Sequence, residues 1–282
     1  MSVVLITGCS SGFGLETAIA FARGGDTVYA TMRNLDKSDA LQRRAGVEGV
    51  ELQLIALDVT DARSVVECVD QIEARHGSVD VLVNNAGIAG HGSVEVVDLD
   101  VANNVFETNL WGAIRTIQAV LPAMRANRSG VIINVTSVAA RLPGVAHTSW
   151  YGASKHALSV VSEGLANELY GTGVRVVCIE PGFYRTEIGM VADGSAPEDD
   201  FYAADRAWVL AYYTNGVAGG GDPADVAAAI VAAASDPATP LHVPVPGEMK
   251  ELVAVAGAVE FEQWLSGQIA SFEAAAGPRP PR

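Results

Sequence analysis

Short apolar runs alternate with longer amphipathic segments along most of this chain. Residues 3–7, 27–31, 51–57, 79–84, 130–135 and 174–179 each read as a strand. Residues 14–23, 62–76, 101–125 and 154–170 read as helices. The strand runs are rich in Val, Ile and Leu and lack an apolar–polar alternation, which suits strands covered on both faces. Strand–helix repetition of this kind predicts an α/β class, with a doubly wound parallel sheet, three layers and right-handed crossovers.

The rhythm breaks after Pro181-Gly182. Residues 183–222 mix aromatic residues, acids and glycines, and are expected to form an insertion with one or two short helices. A mobile lid and a plain surface excursion are both open readings. Asp222-Pro223 then marks an N-cap followed by Pro at the first helical position, opening a helix through residue 234. Residues 241–245 read as a last strand, placed at a sheet edge by Pro244. A helix over 259–275 closes a single domain spanning 1–276, and the Pro/Arg tail 277–282 is expected to be disordered.

Composition narrows the classes. The chain has 282 residues, 49% hydrophobic and 18% charged, with mean hydropathy +0.24. This is a globular profile, long enough for one large core. A formal charge of -15 argues against a nucleic-acid partner. Cys9, Cys68 and Cys178 are far apart without metal-ligand spacing, so no metal is expected and reduced thiols in a cytoplasmic setting are. The start of the chain lacks a basic region, and its apolar run is too short for a signal peptide or membrane span.

The candidate chemistry begins with Tyr151 and Lys155, four apart and so on one helical face. A lone phenol titrates near ~10, and a cation beside it is expected to favour the phenolate and pull that value down. A glycine-rich turn, Thr7 to Gly14, joins the first strand to the first helix. Its Gly8, Gly12 and Gly14 let backbone approach a phosphate, and the helix N-terminus offers free N–H groups. Ser10, Ser11 and Phe13 share that turn. A carboxylate at the end of the second strand would mark NAD. Arg33 stands there instead, and a guanidinium grips a 2′-phosphate with paired hydrogen bonds, favouring NADP(H) over NAD(H). An ordinary surface charge is the competing reading of Arg33. Lys37, Arg43 and Arg44 stand nearby.

These residues together resemble the short-chain dehydrogenase/reductase family over roughly residues 3–250. Four motifs carry the likeness in order: Thr7-Gly8-x-x-x-Gly12-x-Gly14, Asn84-Asn85-Ala86-Gly87, Ser137 with Tyr151-x-x-x-Lys155, and Pro181-Gly182-x-x-x-Thr186. Residues 7–14 and 29–34 look most like the hydroxysteroid and retinol dehydrogenase branch. The resemblance implies a Rossmann fold. It implies that Asp58 contacts the adenine amino group, Val59 lies beside the ring, and Asn84, Asn85, Ala86 and Gly87 line the ribose. It further implies that Thr186 binds the carboxamide, Pro181 and Gly182 back the nicotinamide, and Asn109 bends its helix and holds a relay water. Family members often pair through the helices holding Asn109 and Tyr151, so a homodimer or homotetramer is implied. One departure matters. Ser137 lies fourteen positions before Tyr151, one more than the family usually shows. The extra residue is expected to bulge within 141–150.

The resulting expectation is an oxidoreductase moving a hydride between NADP(H) and an alcohol or carbonyl, with Ser137, Tyr151, Lys155 and Asn109 as the catalytic set. A cofactor-sensing regulator, an NAD(H)-dependent dehydrogenase and a same-fold epimerase or dehalogenase are the alternatives. Trp150, Phe183, Tyr184, Phe201, Tyr202, Trp208, Tyr212 and Tyr213 either wall a hydrophobic small-molecule pocket or pack a lid onto the core or a neighbouring subunit.

Overall fold

Alternate residues of β1 (Val3–Ile6) point to opposite faces of the sheet, and both faces are covered. The computed structural model describes residues 1–188 and 201–281. From there the chain runs through α1 (Gly12–Arg23), β2 (Thr27–Met32), α2 (Asp39–Glu48), β3 (Gln53–Ala56), α3 (Ala62–His76) and β4 (Val81–Asn84). It continues through α4 (Leu99–Phe106), a π-helical turn (Glu107–Trp111), α5 (Gly112–Asn127), β5 (Gly130–Val135), α6 (Ser149–Glu168) and β6 (Val174–Pro181). The last elements are α7 (Ala203–Ala218), α8 (Pro223–Ser235), β7 (His242–Val245), α9 (Met249–Ala256) and α10 (Phe261–Ala276).

The described strands form one parallel sheet in the order β3-β2-β1-β4-β5-β6-β7. Val4 and Ile6 join Val83, Ile133 and Val177 against Ala18 and Phe21 of α1 and Ile230 of α8. Leu5 joins Leu82, Ile132 and Val176 on the other face, against Val69 and Ile72 of α3 and Val120 and Met124 of α5. These are the three layers of a Rossmann fold. All three cysteines lie inside it, and burial pushes each thiol up to about 12. The chain moves outward from β1 to β3, then returns to place β4 on the other side of β1. That reversal opens a crevice at the carboxyl ends of β1 and β4, where open α/β sheets bind ligands.

Caps and edges follow the sequence. Asp222 accepts from Ala224 N at 3.0 Å, with Pro223 opening α8. β7 pairs only with β6 and is an edge carrying Pro244. Three features differ from expectation. Helix α2 was not anticipated, because it buries only Leu41 and Ala45. The helix read over 101–125 is broken by a π-helical turn around Asn109, at the place where the resemblance implied a bend. The segment expected to be a free tail is tied down: Trp208 Nε1 donates to Gly277 O at 2.8 Å, and Arg279 donates to both oxygens of Asp205 at 2.7 and 2.8 Å. Residues 189–200, the middle of the expected insertion, lie outside the described residues. Its later part is α7.

Asp205 is 3% exposed and also meets His147 Nε2 at 3.0 Å, while His147 Nδ1 meets Ser93 Oγ at 2.9 Å. The Arg279 guanidinium, then His147, hold the Asp205 carboxyl down from 3.8 to about 2. A depressed folded-state value contributes stability that is present above the unfolded value and is lost as pH falls through the folded one. Asp205→Asn is therefore expected to be less stable than the parent protein above pH 4, with the gap closing as pH falls toward about 2. Urea unfolding across that range reads the gap, and an equal gap at pH 2 and pH 7 contradicts the assignment.

Candidate active site

The turn after β1 works because three glycines do different things. Gly8 and Gly12 take φ of +74° and +58°, a region that disfavours side chains. A Cβ on Gly14 would sit 2.3 Å from Gly8 O and 2.5 Å from Asn85 Nδ2. Gly14 thus serves the turn's closure and does not line the cavity. The turn is clamped to the end of β4. Asn85 Nδ2 donates to Thr7 O at 2.8 Å and Gly8 O at 3.0 Å, and Thr7 Oγ1 accepts from Asn85 N and Ala86 N at 3.0 Å each. Ser11 caps α1 without a side-chain bond, and the first turn holds no acidic residue. Its N–H groups and positive dipole end are left to an anion.

This turn opens into a cavity of about 1000 Å³. Gly8, Ser10, Ser11, Gly12, Phe13, Arg33, Asp58, Val59, Asn85, Ala86, Gly87, Pro181, Gly182 and Thr186 all line it, and so do Ser137, Tyr151 and Lys155. The structure therefore brings together the sequence candidates for cofactor and proton chemistry except Gly14, Asn84 and Asn109. A dinucleotide fits this surface: an uncapped helix end stands at one place, and an exposed Arg33 without a bonding partner among the described residues stands at another. Arg44 is occupied instead, bonded to Glu48 and Glu16. Asp58 Oδ1 accepts from Thr60 N and Oγ1 at 2.9 and 2.8 Å, which sets its loop.

Asn109 is used structurally. Its side chain accepts from Ile88 N at 2.8 Å and donates to Ile88 O at 2.9 Å and Ser154 Oγ at 3.1 Å. It pins the loop after β4 to α6, and the π-helical turn brings it there.

Ser137 ends β5 in an extended conformation, and its Oγ accepts from Ala139 N at 3.1 Å. Both Thr136 and Ser137 line the cavity; Thr136 Oγ1 donates to Ile179 O at 3.0 Å, and Ser137 Oγ donates over a longer 3.4 Å to Pro181 O. Ser137 stands close enough to Tyr151 to act on its phenol despite the longer connection. Within that connection His147 sits at φ +62°, a left-handed conformation that His tolerates better than most residues. Lys155 lies 5.9 Å from the Tyr151 ring centroid and donates to Val135 O at 2.9 Å. The electrostatics correct the sequence expectation. Burial raises the Tyr151 phenol above its ordinary value, outweighing the opposing effect of Ser137, and burial brings Lys155 down to about 8. Tyr151 is therefore a protonated acid at neutral pH in this arrangement.

The far half of the cavity is apolar. Phe183, Tyr184, Tyr212 and Tyr213 line it with Leu142, Val145, Met249, Leu252, Trp264 and Phe272. The other aromatic candidates do not line it. Trp208 packs on Phe272, and Phe201 meets Tyr202. Four of the aromatic candidates thus stand on the cavity wall, while Trp208 packs inside the protein. His91 and Thr148, which also line the cavity, carry no motif that would reveal them in the sequence.

A family model described as short chain dehydrogenase matches residues 2–195. The chain belongs to the short-chain dehydrogenase family. It is 44% identical to bovine retinol dehydrogenase 8 over 65% of this chain and 59% of that enzyme, so the match spans under two thirds of the relative. A short-chain dehydrogenase structure from Streptomyces avermitilis is 33% identical with TM-score 0.79, covering 97% of each chain. An actinorhodin polyketide ketoreductase structure with NADPH is 28% identical with TM-score 0.74, covering 88% of this chain and 97% of that one. Among the described residues, this short-chain dehydrogenase has no helix long and apolar enough to cross a membrane and no His/Cys/Asp/Glu group able to hold a metal.

Proposed function

We propose that the protein is an NADP(H)-dependent oxidoreductase acting on a hydrophobic alcohol or carbonyl compound. The observation that carries this reading is the meeting of Ser137, Tyr151 and Lys155 with the Gly8–Gly12 turn in one cavity. Solved relatives carrying NADP or NADPH support the choice of dinucleotide, and Arg33 at the end of β2 supplies the charge that a 2′-phosphate requires. When bound, the dinucleotide supplies or accepts the hydride.

The chain's own residues do the rest. Ser137 Oγ donates to the substrate oxygen as negative charge grows there. Tyr151 delivers the proton, and its raised value keeps that proton in place until the alkoxide forms. Lys155 beside the ring stabilises the tyrosinate left behind. Asn109 acts through position, holding the loop after β4 against α6. Absorbance at 340 nm with NADPH and a panel of apolar ketones and aldehydes tests the reading. No oxidation of NADPH with any member, and no reduction of NADP by the matching alcohols, would sink it.

We also assign a homo-oligomer. Trp111, beside Asn109, and Val160 and Val161 of α6 are exposed at 47%, 64% and 38%, an apolar surface suited to a second copy. A monomeric mass in solution by light scattering contradicts this.

A further inference from the structure

His91 lies in the loop after β4, on the wall of the cavity, and is only 7% exposed. Its Nε2 has no hydrogen-bond partner among the described residues. Leaving such an atom unpaired is costly, and a group of this kind calls for a partner that the protein itself does not supply. Burial, then the nearby His147, hold the imidazole below its ordinary value, so it is neutral and carries one donor and one acceptor nitrogen.

The ring stands edge-on to Tyr213, with centroids 5.9 Å apart at 63°. Tyr213 stands near Thr148, and its phenol is pushed up to about 12 by burial, with the neighbouring Tyr212 and Tyr151 adding repulsion. The polar wall therefore begins close to Tyr151 and runs through Thr148 and Tyr213 to His91. The same cavity is lined by the apolar Leu142, Val145, Met249, Leu252 and Phe272, and the last helix adds the polar side chains of Gln263, Trp264, Gln268 and Ser271.

We propose that His91, Tyr213 and Thr148 form a second oxygen-binding patch, which selects otherwise apolar carbonyl substrates bearing a further hydroxyl or carbonyl oxygen two or three bonds from the reacting carbon. This rests on the oxidoreductase reading above and adds to it a substrate class, the oxygenated ketones. A site built to bond an oxygen discriminates against the analogue lacking it, because its own polar groups are then left unpaired.

A matched pair of probes tests it. Ethyl 3-oxohexanoate and 4-nonanone have the same backbone length and carbonyl position, and the ester adds the second carbonyl. The ratio of their kcat/KM values with NADPH is compared between the parent protein and the variants His91→Phe and Tyr213→Phe. Intrinsic electrophilicity cancels in that comparison. Each variant is expected to lower the ester-to-ketone ratio about tenfold, equivalent to about 1.4 kcal/mol. An unchanged ratio in both variants overturns the patch. Should His91→Phe fail to fold, His91→Gln and Tyr213→Phe carry the measurement. Calorimetric binding of both probes to the protein loaded with oxidised NADP reads the same ratio without turnover. Failure of turnover with every carbonyl speaks against the oxidoreductase reading. An unchanged binding ratio, or no ester binding at all, speaks against the patch.

Discussion

Tyr151→Phe is expected to fold, to bind NADPH and to lose turnover by about a hundred- to ten-thousand-fold, the range that a positioned proton donor contributes. The substitution removes one oxygen and keeps the ring that packs beside Lys155. Ser137 keeps its bond with Ala139 N, so the strand end stays in place. Circular dichroism and NADPH fluorescence check fold and binding, and absorbance at 340 nm checks turnover. Turnover within roughly tenfold of the parent protein removes Tyr151 from the proton step. A raised phenol value gives this prediction its direction. The group is a better proton source than proton acceptor at neutral pH, so reduction is the reaction to assay first.

Arg33→Ala has the next largest expected effect. Affinity for NADPH is expected to fall about ten- to a hundred-fold, the worth of hydrogen bonds to a charged group. Affinity for NADH is expected to change by no more than about twofold, since it lacks the 2′-phosphate. Arg33 is exposed, so the NADPH effect shrinks as salt screens the pair. Fluorescence titration with both dinucleotides at two ionic strengths measures this. Equal losses for NADPH and NADH take Arg33 out of cofactor selection.

The sheet was legible in the sequence because its central strands are covered on both faces. Val81 to Asn84 and Gly130 to Val135 are buried at every position, and their only side chains with polar groups, Asn84 and Asn134, bond to each other. The glycine turn was legible because its backbone angles exclude other residues at Gly8 and Gly12. Helix α2 was not, since two buried residues make too thin a stripe. The bend at Asn109 was implied by the resemblance, but its π-helical form was not legible, because apolar spacing continues through it while one residue is inserted into the hydrogen-bond ladder. The titration of Tyr151 was misjudged for a different reason. Four-residue spacing puts the ammonium near the ring, but burial acts on both groups and dominates here. His91 could not be found at all. Its meaning comes from Tyr213, on a helix far along the chain.

His147 is gripped from two sides, by Ser93 and by Asp205, and its carbonyl accepts from Gly92 N at 2.9 Å. A connector anchored so firmly near one end tolerates a change of length in its middle while the reactive pair beyond it keeps its spacing. The wall facing the substrate can therefore be rewritten, by insertion or exchange between residues 141 and 146, as a module separate from the machinery that moves the proton.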